Sequence, residues 1–135
     1  MNRLQLLKAT LWISAIAEFV YFSTSHWFFH RAFFNALGIH GADLDSPFVI
    51  SQLQLIGAMV MGYALMNLII ASDPVRYRPL LALILVIGTL CIAIFTISVW
   101  IGTLPALFMI NAAILLVQVA LVAALFPPNS KVTAS

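Results

Sequence analysis

Long apolar runs alternate with short polar breaks along this chain. The clearest run is Leu80–Ile101, which holds no charged residue and whose polar groups are small: Gly88, Thr89, Cys91, Thr96 and Ser98. As a helix of roughly 22 residues rising ~1.5 Å each, it would be about 33 Å long, enough to cross the ~30 Å hydrocarbon core of a bilayer. It is apolar on every side, and so short a chain has no soluble core in which to hide such a helix. Three further runs have the same character. Prolines mark where they begin: Ser46-Pro47, a capping serine before proline at the first helical position, then Pro79 and Pro105. Breaks fall at Ser72-Asp73-Pro74, at Gly102-Thr103-Leu104 and at Pro127-Pro128. The pattern predicts an all-α polytopic membrane protein, a four-transmembrane-helix bundle forming one domain over 1–135. Its helices are expected at about 4–23, 47–71, 79–101 and 105–126.

A different kind of segment lies between the first two runs. His26–Leu37 (HWFFHRAFFNAL) is too short to span, rich in phenylalanine, and polar at His26, His30, Arg31 and Asn35. It reads as a short interfacial helix lying among lipid headgroups, with Trp27 as an aromatic anchor, stopped by Gly38. A polar loop with Asp43 and Asp45 follows. The first run carries Ala15-Ile16-Ala17, the small-x-small form of a signal-peptide cleavage site, but the apolar stretch before it is short, so it is read as a retained span.

Composition strengthens this reading: 64% of residues are hydrophobic and 7% charged, where a soluble domain is about one-quarter charged. The six cations form no basic stripe, which argues against a nucleic-acid partner. With four spans, Arg3, Lys8, Arg76, Arg78 and Lys131 fall on one side, and Arg31 falls on the other beside Asp43 and Asp45. The excess of positive charge is expected to place both termini in the cytoplasm, which in a bacterium makes this a multi-pass protein of the inner membrane with the His26–Leu37 segment facing the periplasm. Trp27 and Trp100 then sit near the outer interface, as aromatic belts do.

Polar groups inside the spans are the candidate chemistry, because each costs free energy and needs a partner. Glu18 is the costliest. An α-helical period puts Ser14, Tyr21 and Ser25 on its face, a polar stripe expected to point into the bundle. Placed about five residues below an outer helix end, Glu18 shares its depth with Gln52 and Gln54 of the second run, Thr96 and Ser98 of the third, and Asn111 of the fourth. One expectation is therefore an outer polar layer of Glu18, Tyr21, Gln52, Gln54, Ser98 and Asn111. It serves either as interhelical hydrogen bonding, at about 0.6 kcal/mol per bond, or as a small ligand pocket. A carboxyl that keeps its proton there can donate as well as accept. Asn67 and Gln118 lie deeper and are expected to bond across helices.

Other features carry less. His26 and His30 are four apart, as on one helical face, but a metal would need further ligands such as His40, Asp43 or Asp45, and no metal site is assigned. Ala58-x-x-x-Gly62 and Ala120-x-x-x-Ala124 suggest close helix approach. Met59, Tyr63 and Met66 share a face suited to packing or to a flat ligand. Cys91 reads as a packing residue. No nucleophile–base pair, phosphate loop, paired carboxylates or cofactor fingerprint occurs, so no catalytic residue is assigned.

Phe34-Asn35-Ala36-Leu37-Gly38-Ile39, the Gly57–Gly62 stretch and Asp73-Pro74-Val75-Arg76 resemble the small bacterial DoxX-like membrane proteins of the BphX-like type. The resemblance covers nearly the whole chain and implies a four-helix bundle. It also implies association with quinone-linked oxidoreductases or with the maturation of periplasmic redox enzymes, without any family catalytic residue to carry over. The expected function is a non-catalytic accessory or structural subunit of a larger membrane complex, in contact with lipids and other membrane subunits. The alternative is a stand-alone binder or carrier of a small hydrophobic molecule (a lipid, quinone or pigment) near Glu18.

Overall fold

The computed structural model describes residues 2–128. Four helices are long and apolar enough to cross a membrane: Arg3–Trp27, Pro47–Ser72, Arg78–Trp100 and Ala106–Ala124. They form an all-α, four-helix bundle and are called here the first to fourth spans. A short helix, His30–Ala36, and a turn of 3₁₀ helix, Ala42–Asp45, connect the first two. The fourth span opens with a 3₁₀ turn, Ala106–Phe108, before the α-helix Met109–Ala124.

Local chemistry sets these boundaries. The first span starts in a capping box: Asn2 Oδ1 accepts from Gln5 N and Gln5 Oε1 accepts from Asn2 N. Ser46 caps the second span, its hydroxyl accepting from Val49 N at 3.2 Å, with Pro47 in the first turn. Gly38 and Gly102 end helices in the left-handed region, at φ 82° and 77°. In each case the following amide bonds back across the turn, Ile39 N to Phe34 O and Thr103 N to Ser98 O, and a β-carbon would strain that conformation.

The first span departs most from expectation. It runs on to Trp27 rather than stopping near Ser23, and Glu18–Ser23 is π-helix. A break at Phe28-Phe29 then precedes the short helix at His30. His26 therefore belongs to the span and not to the interfacial segment. It is buried, its Nδ1 2.7 Å from Phe22 O and its ring packed on Phe33 and Phe34.

The spans pack as two pairs, first against second and third against fourth, with sparser contact between the pairs. All four converge at one end, where Leu7, Leu11, Ile70, Ala71, Leu81, Ile84 and Val122 form the core. Cations tie off this end. Arg3 Nη2 donates to Ala124 O (2.8 Å), Lys8 Nζ to Ser72 O (2.9 Å) and Arg78 Nε to Pro127 O (3.0 Å). Helix C-termini leave carbonyls unpaired, and a cation there satisfies both the hydrogen bond and the dipole.

The close approaches are at Gly57 and Gly88. A β-carbon on Gly57 would sit 2.6 Å from Trp27 Cδ1, and one on Gly88 would sit 2.5 Å from Val119 Cγ2. The expected small-residue pairs do not do this work: Ala58, Gly62, Ala120 and Ala124 are all exposed, and Gly62 has nothing within 4 Å of where its β-carbon would be.

Candidate functional site

Glu18 is 8% exposed and its carboxyl is shared by two other spans. Asn67 Nδ2 donates to Oε2 at 2.8 Å and Gln118 Nε2 donates to Oε1 at 3.3 Å. Asn67 is fully buried, and its own Oδ1 is left without a hydrogen-bond partner. The first, second and fourth spans thus meet at one carboxyl with two carboxamides. In hydrocarbon such groups have no water to fall back on, so the cluster fixes how these three helices face one another.

The π-helical stretch aims these side chains. An i→i+5 period brings Glu18 and Ser23 onto one face, where 3.6 residues per turn would have paired Glu18 with Tyr21. Ser23 is buried and its hydroxyl donates to Gly57 O at 3.0 Å. Tyr21, expected on the Glu18 face, is instead 52% exposed and stacks edge-on against Phe22 and Phe33. Ser25 bonds its own helix at Tyr21 O.

A groove of about 240 Å³ runs between the first and fourth spans, with Glu18 and Gln118 at its base. Its walls are apolar: Ile13, Ala17 and Phe22 on one side, Ile114, Val117 and Leu121 on the other. Ile13, Ala17, Val117 and Leu121 are exposed, so the groove opens sideways, on the surface that lipid would cover, rather than through a helix end. Thr10 and Ser14 add hydroxyls on the first-span side. The Thr10 hydroxyl already donates to Leu6 O.

The expected outer layer does not assemble around Glu18. Gln52 and Gln54 are exposed, and Gln54 contributes its backbone oxygen to Trp27 Nε1 at 2.9 Å. Ser98 is half-buried near the turn after the third span, where its carbonyl accepts from Thr103. Asn111 is buried near the start of the fourth span, about two helical turns from Gln118. The real partners, Asn67 and Gln118, were expected to bond across helices but not to Glu18. Distance from the basic end would not have found them: Glu18 lies fifteen positions after Arg3, whereas Asn67 lies five before Ser72 and Gln118 six before Ala124.

Among the interfacial candidates, Arg31 pairs with Asp45, and His30 is half-buried at the start of the short helix. Trp27 lies against Gly57, whereas Trp100 is 85% exposed. The break at Phe28-Phe29 separates His26 from His30, and among the described residues no three of His, Cys, Asp and Glu gather into a metal-binding group. Tyr63 and Met66 pack against the core while Met59 is exposed, and Cys91 is half-buried. Lys131 lies outside the described residues.

No protein-family model, curated protein or solved structure matches this chain.

Proposed function

We propose that this protein binds a small hydrophobic molecule taken sideways from the lipid into the groove between its first and fourth spans. The observation that carries this reading is a 240 Å³ apolar groove with one carboxyl, Glu18, at its base. An apolar site with few, well-placed polar groups is the ordinary form of a small-molecule site. A carboxyl kept inside a membrane span at the cost of burial is a functional group before it is a structural one. The absence of a nucleophile or an acid–base pair beside Glu18 among the described residues favours binding or carriage over catalysis. The basic end, with Arg3, Lys8, Arg76 and Arg78, then faces the cytoplasm of a bacterial cell and the short helix faces outward.

A second reading keeps the accessory-subunit role. It rests on the third span, whose half beyond Gly88 has no fully buried residue and is covered mainly by the fourth span. Another membrane subunit could cover that surface, and the DoxX-like resemblance would make that subunit part of a redox enzyme. Native mass spectrometry on protein taken from its own membrane in mild detergent separates the two. A monomer or homo-oligomer carrying a small added mass supports the binder. A heteromeric mass supports the subunit and contradicts the stand-alone reading.

A further inference from the structure

We infer that the molecule bound in this groove carries a cationic hydrogen-bond donor, a lipophilic ammonium, with its head on Glu18 and its apolar body along the groove. The inference rests on the binding role proposed above and adds the chemistry of the ligand's head. It follows from counting donors and acceptors around the carboxyl.

A carboxyl offers about four lone-pair sites. The structure fills one on each oxygen, from Asn67 Nδ2 and Gln118 Nε2. Asn67 Oδ1, fully buried beside this carboxyl, accepts from nothing. The Thr10 and Tyr63 hydroxyls add no donors, because they are spent on backbone carbonyls, Leu6 O and Ile84 O, which leaves the Ser14 hydroxyl in the groove wall as a single further donor. The cluster therefore has more acceptors than donors, and an unmet buried acceptor is costly. Of this cluster Glu18 and Gln118 line the groove, so a ligand head that donates can fill the open sites on Glu18; a head that only accepts, such as a ketone or a carboxylate, cannot.

Charge makes the same selection. Among the described residues, the cations at the helix ends are engaged elsewhere. Arg3, Lys8 and Arg78 bond backbone carbonyls, Arg31 pairs with Asp45, and Arg76 lies over the Tyr77 ring. A carboxyl buried in a span gives up its proton to a basic partner that then stays paired with it, and since no cation among the described residues pairs with Glu18, that partner arrives with the ligand. The space is adequate, since an apolar cavity of about 150 Å³ is enough to take up benzene and this groove is about 240 Å³.

The test compares three probes of one shape: naphthylmethylamine, methylnaphthalene and naphthoate. Each is equilibrated by dialysis with lipid nanodiscs holding the full-length protein, with protein-free discs setting the partition baseline. The amine is expected to bind about tenfold or more tightly than the hydrocarbon, the scale of one charge-assisted hydrogen bond, and naphthoate weakest. Glu18→Gln should bring the amine down to the hydrocarbon's level. The wild-type comparison decides by itself if that variant does not fold. Equal binding of amine and hydrocarbon overturns the donor-head inference and leaves the groove standing, and naphthoate binding best overturns it as well. No binding of any probe above baseline overturns the groove reading too. So does undiminished binding to Ala17→Trp, whose indole fills the groove from its lipid-facing edge.

Discussion

The two ends of this bundle are built differently. At the basic end all four spans meet in one core, from Leu7 and Leu11 to Val122, and cations tie the helix termini together. At the opposite end contact is pairwise: Trp27 lies against Gly57 in one pair and Phe95 against Phe108 in the other, with ring centroids 6.1 Å apart. Glu18 lies between these ends, in the groove that runs from Thr10 to Phe22 along the first span and from Ile114 to Leu121 along the fourth. A membrane bundle gains little from burying oil against oil, so its stability is expected to follow close packing and interhelical hydrogen bonds. The four-span core lies at the basic end. At the other end the close approach of Trp27 to Gly57 and the Ser23 bond to Gly57 O join only one pair, which leaves the two pairs freer to part toward lipid.

Substitutions at the two ends can break this comparison. The largest effect is expected for Leu11→Ala, which empties a fully buried position at the point of convergence. It should cost about 2–4 kcal/mol in a detergent-unfolding titration, whereas Trp100→Ala at the open end should stay within about 0.5 kcal/mol. Equal losses would mean that stability is spread evenly. Gly57→Leu comes next, because its side chain must displace Trp27 and break the indole bond to Gln54 O. We expect about 1–3 kcal/mol of destabilisation and a change in tryptophan emission, with Gly62→Leu silent in both. Asn67→Leu removes one donor from the carboxyl and should cost about 1–3 kcal/mol, against almost nothing for Gln52→Leu. Adding Glu18→Leu to it should cost less than the two separate losses combined, since no orphaned carboxyl remains, and strict additivity would show that the pair is not coupled. The smallest effect is expected for Arg31→Ala. Its ion pair with Asp45 is 62% and 50% exposed, so the loss should be about 0–1 kcal/mol and shrink further in high salt.

The bundle was legible in the sequence because hydropathy and proline carry spans and their starts. Ser46-Pro47 caps the second span as its residues demand, and Gly38 and Gly102 end helices where turns were expected. The site was only half legible. Glu18 stands out as the one acidic residue inside an apolar run, but a depth counted from Ser23 is too shallow, because the helix continues to Trp27. An α-helical period turns Tyr21 inward with Glu18, but the stretch is π-helical and Ser23 is the buried residue. Helix period is a global regularity, and the tertiary packing that locally widens it leaves no mark in hydropathy. The small-residue pairs failed for a related reason. The spacing fits four helical residues, yet Gly57, one position before Ala58, is the one that meets Trp27.

The central claim is that Glu18 lies at the base of a groove reached from lipid. Carbodiimide labelling of the wild-type protein in lipid nanodiscs, read by mass mapping, tests it most directly. The chain has four acidic side chains, Glu18 and Asp43, Asp45 and Asp73. An apolar carbodiimide should modify Glu18, and naphthylmethylamine should protect it, while a water-soluble carbodiimide should modify aspartates and spare Glu18. Glu18 left unmodified by the apolar reagent, or modified as readily by the water-soluble one, would contradict the account.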